Sequence, residues 1–308
     1  MRSAFPSGPQ MIVRKRPGAL ELFFVLKGSI LPRIWPQLLG VGLLSALVVA
    51  AHRFAPDLAP SVDPAPFALI GVALSVFMSF KNNASYDRWW EARKLWGQII
   101  QTARDLARQT IVLDPGPGQV SPERREILHA VVGFAGAAVR QLRRESGGLE
   151  PGASPGPINP ADAFLTQISR RIGALLRAGR LEPVEALTLN ESLVRLNQAL
   201  VGCERLANTP LPFPYALLLH RTAYLFCFML PFGLADSLGW ASPLATMLAA
   251  YTFFGLDAVG EELEEPFGLA PNDLPISAYA TLVEINLRAA LGETDLPPAP
   301  LPKDYVLT

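Results

Sequence analysis

The sequence predicts an all-α membrane protein with four transmembrane helices per subunit and a cytosolic helical bundle. Half of its 308 residues are hydrophobic and only 18% are charged, and the mean hydropathy is positive, a balance typical of membrane proteins. Four apolar segments are long enough to cross a bilayer. The second and third of these are separated by a polar region with helical periodicity and no strand alternation.

The N-terminal region is predicted to be an extension followed by an amphipathic helix. Within residues 1–17, no apolar stretch follows the first basic residue, so we expect no signal peptide. In residues 18–30, Leu20, Phe23 and Phe24 recur at helical spacing, which predicts a short amphipathic helix. This helix would lie on the membrane surface or pack within an oligomer.

The first predicted span runs from Trp35 to about Arg53, close to the lower length limit for a bilayer crossing. Trp35 suits one membrane interface, and His52 and Arg53 suit the other. A buried helix of a soluble protein is the alternative. It is disfavoured because four such segments occur and their flanking charges agree on one orientation.

The second span opens the stretch on which the functional prediction depends, residues 66–96. It is uncharged as far as Phe80 and then dense in Lys, Asn, Asp, Arg and Trp, with no Pro or Gly between Ser75 and Trp96. We predict one continuous helix that leaves the membrane near Phe80. If it continues to about Thr110, it is on the order of 65 Å long, roughly twice the hydrocarbon thickness of a bilayer.

Two rows of residues with a spacing of four lie side by side on the apolar half of this helix. They are Val72, Val76 and Phe80, and beside them Gly71, Ser75 and Ser79. The small row permits close approach of a neighbouring helix, which accounts for the pattern by itself. The other interpretation adds that the Val, Val, Phe row faces a symmetry axis, where copies from several subunits form a narrow apolar ring and therefore a pore.

The region from 113 to 212 is predicted to be a cytosolic helical bundle. Ser121 before Pro122 and Asn159 before Pro160 are typical helix N-caps. The bundle ends in a segment of alternate prolines, which excludes helix. This segment holds Leu211 between two prolines, and from the residues alone we favour an interior packing role for that side chain.

The third and fourth spans form a predicted helical hairpin, over residues 215–238 and 243–260. Arg221 and Asp257 lie near the same membrane boundary, and we expect them to pair. Acidic residues at the end of the fourth span oppose the helix dipole, and we expect Arg88, Arg93 and Lys94 to offset them. The acidic residues are Glu261, Glu262, Glu264 and Glu265.

These elements divide the chain into five segments. The first two are an N-terminal extension (1–17) and the amphipathic helix with the first two spans and their cytosolic continuation (18–112). The bundle (113–212), the third and fourth spans (213–262), and a C-terminal cytosolic helix and tail (263–308) follow. Lysines and arginines concentrate before the first span and after the second. This bias predicts that both termini and the bundle are cytoplasmic.

Charge and motifs exclude several classes of function. Lys plus Arg equals Asp plus Glu, at 27 each, which gives no indication of nucleic acid as a partner. Cys203 and Cys227 stand far apart in apolar helical contexts, so we expect reduced packing thiols. The three histidines show no metal-ligand spacing, and no catalytic or phosphate-binding motif occurs. We therefore predict no enzyme activity, cofactor or metal site.

Four motifs resemble the bacterial branch of the bestrophin family. They are FKNNASYDRWWEARKLWG at 80–97, IVRKRPG with KGSIL near the start, CERLANTPLPFPYALLLHRTAYLFCFMLPFGL at 203–234, and EELEEPFG at 261–268. They occur in the expected order and cover the chain from about residue 11 to 291. The resemblance implies a homopentameric ion channel in a bacterial inner membrane, with a central pore on the five-fold axis and only itself, lipid and permeant ions as partners.

The resemblance also implies roles for individual residues. Val72, Val76 and Phe80 correspond to the apolar neck of the family's pore, in which Ile is more usual at the first two positions. Leu211 corresponds to a second constriction at the cytosolic exit, which replaces the packing role favoured above. The calcium-binding acidic run of eukaryotic members is replaced here by residues 269–272, which leaves Asp273 nearly alone, so calcium activation is not expected.

Bacterial members resemble cation channels, whereas animal members pass chloride. We therefore predict a channel for small monovalent ions that favours cations, sodium included, with an anion channel of the same family as the alternative. Selectivity would come from charges near the pore mouths, namely Asp57, Asp63 and the four glutamates between 261 and 265. A membrane-anchored scaffold or sensor without ion flux is the alternative from another class. A secondary transporter is disfavoured because no inverted repeat is found.

Overall fold

The computed structural model describes residues 28–55, 62–144 and 159–302, together with Gly18, Val25 and Leu307. This described part is helical, with one isolated β-bridge between Gly116 and Gln119. Its α-helices are α1 Leu31–Phe54, α2 Ala65–Gln109, α3 Pro122–Leu142, α4 Pro160–Arg177, α5 Pro183–Asn208, α6 Phe213–Leu238, α7 Ser242–Glu264 and α8 Ile276–Ala290. The prediction of an all-α protein is confirmed for these residues.

The predicted amphipathic helix at 18–30 lies mostly outside the described residues. Gly18, Val25 and residues 28–30 are described, and none of them is helical. Asp57 also lies outside the described residues. The first helix begins at Leu31, with Pro32 in its first turn.

The chain forms two compact units. Of the described residues, those up to 89 and those from 210 to 265 form the apolar unit, and those from 90 to 209 and from 266 onward form the bundle unit. Helix α2 contributes its first part to the apolar unit and its second part to the bundle unit. The division into five segments stays a prediction.

In the apolar unit, α1 packs against α6 and α7, and α6 packs against α7. A core of large apolar side chains joins these helices and receives Leu74 and Met78 from α2. Glycines allow close contacts where α2 meets α6. A Cβ added at Gly233 would lie 2.8 Å from the Phe67 ring, and one added at Gly71 would lie 3.1 Å from the Phe226 ring.

In the bundle unit, α3 packs against α4 and α8, and α4 packs against α5. The predicted caps are confirmed: Ser121 Oγ accepts a hydrogen bond from the Arg124 N–H at 3.1 Å, and Asn159 Oδ1 accepts one from the Asp162 N–H at 3.0 Å. Each satisfies a donor that the first helical turn leaves free. Because these interactions are local, they set the helix starts where the sequence indicated.

Helix α2 is a single helix of 45 residues, which at 1.5 Å per residue is about 68 Å long. This confirms the prediction of an uninterrupted helix from the apolar stretch to the vicinity of Thr110. Three apolar segments in the described residues are long enough to cross a membrane: Leu31–Phe54, Ala65–Leu113 and Phe213–Glu264. The third comprises α6 and α7, which meet at a short 3-10 turn.

Candidate functional site

The apolar row of α2 is exposed on the surface of the subunit. Val72, Val76 and Phe80 have 66%, 47% and 60% of their surface accessible. In the most apolar 18-residue window of α2, 17% of residues are buried, against 39% for the corresponding window of α1. The subunit itself therefore leaves most of this apolar helix surface uncovered.

The opposite side of α2 is buried in the apolar unit. Leu74, Met78 and Lys81 are each no more than 2% exposed. At 100° per residue, the direction of these three side chains differs from that of the Val72, Val76, Phe80 row by about 170°. The exposed row consequently lies diametrically opposite the face that anchors α2 to its own subunit.

The buried face of α2 ends in an ion pair that joins three helices. Lys81 Nζ donates to Asp257 Oδ1 on α7 at 2.7 Å, and the two side chains are 1% and 5% exposed. The other carboxylate oxygen, Asp257 Oδ2, lies 2.6 Å from His220 Nδ1 on α6. The aspartate therefore connects α2, α6 and α7 directly behind the exposed row.

This arrangement corrects the predicted pairing of Asp257. The predicted partner, Arg221, is exposed, whereas its neighbour in sequence, His220, makes the contact. One residue corresponds to 100° around a helix, so the rotation of α6 decides which of the two side chains meets the aspartate. The sequence indicated that Asp257 has a basic partner on α6, but named Arg221 where the structure has His220.

Three of the four glutamates at the end of α7, Glu261, Glu262 and Glu264, have partners within the apolar unit. The main partner is Arg33 of α1. Its guanidinium is hydrogen-bonded to Glu261 and lies 3.7 Å from Glu262 Oε1. Arg88 Nε donates to the backbone carbonyl of Glu264 at 3.1 Å, so one of the three predicted basic partners does reach this helix end. The contribution of Arg33 was not predicted.

Leu211 lies in the proline segment that precedes α6 and is half-buried. Its backbone N–H donates to Glu264 Oε1 at 2.9 Å. This bond holds the non-helical segment against the end of α7 and leaves the Leu211 side chain free of any polar contact of its own. Its role as a cytosolic constriction stays a prediction.

The remaining predicted pore-mouth charges differ in their surroundings. Asp63 is exposed, and its Oδ1 accepts a hydrogen bond from the Ala65 N–H at 2.9 Å, so it caps the start of α2. Glu265 is exposed at the end of α7. Their influence on ion selectivity stays a prediction.

The segment that corresponds to the family's calcium clasp is a compact loop of the bundle unit. Asp273 is 2% exposed, and its Oδ2 accepts a hydrogen bond from the Ala270 N–H at 2.6 Å. The backbone N–H of Leu274 donates to the Pro266 carbonyl at 2.9 Å and closes the loop. The aspartate that the sequence retains here therefore serves the loop's own fold.

Burial or a hydrogen bond shifts the pKa of three ionisable groups in the bundle unit. Burial raises the pKa of the Cys203 thiol to about 12, as predicted for a packing cysteine. A hydrogen bond from Arg288, at 2.7 Å to Glu293 Oε2, lowers the pKa of the Glu293 carboxyl. Burial also raises the pKa of the Tyr279 hydroxyl, against a smaller opposing effect of Arg93.

Comparisons with known proteins agree with the motifs. A family model described as bacterial/fungal bestrophin protein matches residues 11–289. Over 305 residues the chain is 46% identical to a protein of Mesorhizobium japonicum named voltage-dependent anion channel-forming protein, covering 96% of each. An Escherichia coli K12 protein with the same descriptive name is 37% identical over 310 residues, covering 97% of this chain and 100% of the relative. A crystal structure of a bacterial bestrophin homologue from Klebsiella pneumoniae superposes with a TM-score of 0.77 at 35% identity, covering 85% of this chain and 100% of that one.

Proposed function

Because the chain belongs to the bacterial and fungal bestrophin family, we propose that it forms a homopentameric ion channel in a bacterial inner membrane. Five copies of α2 surround the axis, and Val72, Val76 and Phe80 of each copy line the neck of the pore. The single observation that carries this proposal is the exposed apolar row on α2, opposite the face that packs in its own subunit. A helix anchored on one side and apolar on the other is suited to meet its own copies.

Each subunit crosses the membrane four times, through α1, the first part of α2, α6 and α7. This topology is supported by the polar contacts at both ends of the apolar unit. Arg33, Lys81 and His220 lie at one end, near Asp257 and Glu261, and His52 lies 3.4 Å from Asp236 at the other. Such an arrangement suits four antiparallel crossings with both termini and the bundle in the cytoplasm.

The neck offers an ion no ligands, so conduction depends on whether the ring stays wet. An apolar constriction of near-ionic width gates by dewetting, and small rotations of the Phe80 ring change its width. Leu211 forms a second constriction at the cytosolic exit, where the proline segment limits backbone movement. We propose that these two narrow points control the flux of small monovalent ions.

Two candidates for the sign of the ion each have an observation in their favour. The relatives from Mesorhizobium japonicum and Escherichia coli are named as anion channel-forming proteins, which favours anions such as chloride. The acidic end of α7, with exposed Glu265, favours cations such as sodium. We propose a channel for monovalent ions and, more specifically, one that prefers cations.

The rival from another class is a membrane-anchored scaffold without ion flux. The experiment that separates the two is native mass spectrometry of the purified full-length chain, followed by reconstitution in planar bilayers with asymmetric NaCl. A mass of five chains and a single-channel current are expected. The sign of the reversal potential distinguishes Na⁺ from Cl⁻, and a monomer that gives no current would contradict the channel.

A further inference from the structure

We propose that His220, Asp257 and Glu261 form a binding site for a divalent transition-metal ion of the zinc class. One ligand atom from each residue, His220 Nδ1 and a carboxylate oxygen of Asp257 and of Glu261, can be chosen so that all three lie within 4.8 Å of one another. Asp257 and Glu261 are four residues apart on α7, so they share one helix face. An imidazole nitrogen with two carboxylate oxygens is a donor set that suits Zn²⁺.

The separations of these atoms fit a tetrahedral ion after small movements. His220 Nδ1 lies 2.6 Å from Asp257 Oδ2 and 4.0 Å from Glu261 Oε1. Two ligands that each lie about 2.1 Å from a tetrahedral zinc are about 3.4 Å apart. The first pair would move apart and the second pair closer by less than about 1 Å each, a change that side-chain rotation supplies.

A cavity beside the three residues provides room and a further oxygen. It has a volume of about 140 Å³ and is lined by His220, Asp257, Glu261, Arg33 and Gln37, among others. Gln37 Oε1 is buried and accepts no hydrogen bond within the described part of the chain. A buried carbonyl oxygen without a donor is costly, and a cation or its water would satisfy it.

The other two histidines show why this site is distinctive. The chain contains three histidines, and each lies next to a carboxylate. His52 is near Asp236, and His129 Nε2 lies 3.0 Å from Glu293 Oε1. Among the described residues, only His220 belongs to a group of three metal-binding side chains. The other two therefore provide matched controls, with the same imidazole–carboxylate contact and no third ligand.

Arg33 is the competitor for this site. Its guanidinium pairs with Glu261, yet its side chain is 48% exposed, so it can move into solvent when a metal ion takes the carboxylate. Removing Arg33 should therefore strengthen metal binding. A role for Glu261 limited to the salt bridge would not produce this effect, because the salt bridge itself is lost in the variant.

The test measures binding of Zn²⁺ alone to the full-length chain in detergent, by competition with a chromophoric chelator. We expect one zinc per chain. His220→Ala and Glu261→Gln should each weaken binding about tenfold or more, while His129→Ala and His52→Ala leave it unchanged. Arg33→Ala should tighten it.

Three results would overturn the proposal: no binding of one zinc per chain by the wild type, unchanged affinity in both His220→Ala and Glu261→Gln, or weaker binding in Arg33→Ala. Circular dichroism of each variant excludes misfolding as the cause of a loss. His220 is half-exposed and Glu261 lies near the surface, so both changes leave the buried Lys81–Asp257 pair in place. The assay needs no ion flux, so its failure is separate from failure of the channel.

Discussion

The apolar unit and the bundle unit use buried ion pairs in different ways. Among the described residues, each unit holds one ion pair with both side chains less than a tenth exposed. Lys81 and Asp257 form it in the apolar unit, and Arg124 and Asp114 form it in the bundle unit at 2.5 Å. The first joins helices that are distant in sequence, and the second lies across a short loop.

The local surroundings explain the difference. Asp114 Oδ1 also accepts from the Ser121 N–H at 2.9 Å, and Arg124 Nη2 donates to the Ala107 carbonyl at 3.0 Å. The bundle pair therefore orders the connection between α2 and α3 through several bonds. Asp257 has two partners on two other helices, Lys81 and His220. The buried ion pair of the apolar unit thus stabilises contacts between helices, whereas the buried ion pair of the bundle unit stabilises a loop.

The largest effect is expected for Lys81→Met. It leaves Asp257 buried beside His220 alone, and an uncompensated buried charge costs about 3–5 kcal/mol. Arg124→Met in the bundle unit should cost less, about 1–3 kcal/mol, because Asp114 keeps its backbone donor. Thermal unfolding of both variants in detergent measures the difference.

The double variant Lys81→Met with Asp257→Leu is the control for this prediction. It removes both charges, so much of the lost stability should return. If the double variant is as unstable as Lys81→Met, the loss reflects packing of the lysine stem and not the charge. If Arg124→Met is the more damaging single change, the contrast between the units is wrong.

A second large effect is expected for ion flux in Phe80→Ala. Shortening the side chain at the end of the neck widens the apolar ring and favours a wet pore, so single-channel conductance or open probability should rise. Val194→Ala in α5 is the matched control, because Val194 is also apolar and is 47% exposed but belongs to the bundle unit. Recordings in planar bilayers compare the two variants.

The neck proposal fails if Phe80→Ala and Val76→Ala both conduct as the wild type does. It also fails if Val194→Ala raises conductance as much as Phe80→Ala. Equal changes in both variants would mean that exposed apolar groups act through overall stability.

A medium effect is expected for Gly260→Ala on α7. A Cβ there would lie 2.4 Å from Asn82 Oδ1, one residue from the Lys81 contact, so the Asn82 side chain or α7 must shift. Overpacking of this kind costs about 1–3 kcal/mol. Gly97→Ala is the control, because its Cβ meets nothing closer than 3.8 Å and Ala favours helix by up to about 1 kcal/mol.

Thermal unfolding again provides the measurement. Gly260→Ala should lower the melting temperature and Gly97→Ala should keep or raise it. Equal melting temperatures would show that the Asn82 side chain moves aside without loss of stability.

The smallest effect is expected for the pH response of the bundle unit. The pKa of Glu293 is lowered from 4.5 by its hydrogen bond from Arg288. A lowered folded-state pKa contributes stability that is present above the unfolded value of about 4.5 and is lost as the pH falls through the folded value. Denaturant unfolding below pH 4.5 should therefore show a loss that Glu293→Gln reduces. An identical pH profile in the variant would contradict this contribution.

Much of the fold could be predicted from particular residues. Ser121 and Asn159 marked helix starts, and the absence of Pro and Gly between Ser75 and Trp96 marked one long helix. These signals are local, because a cap or a helix breaker acts within one turn. The candidate neck row was found in the same way, from a spacing of four, and the structure places it on an exposed face.

The polar contacts opposite the exposed row of α2 could not be predicted in the same way. Arg221 is the predicted partner of Asp257, whereas Lys81 and His220 make the contacts. The choice depends on how α6 and α2 are rotated, and that rotation follows from the packing of many apolar side chains. The contact of Arg33 with Glu261 was missed for the same reason.

The sequence by itself determined the all-α class, the helix starts after Ser121 and Asn159 and the continuity of α2, since hydropathy, caps and helix breakers act over a few neighbouring residues. Only the tertiary structure decided which side of α2 is anchored and which is left uncovered, and which two side chains contact Asp257. Those outcomes arise from the mutual rotation of helices far apart in the chain. Successive side chains on a helix differ in direction by 100°. A rotation of α6 by that angle would therefore exchange His220 for its neighbour as the partner of Asp257.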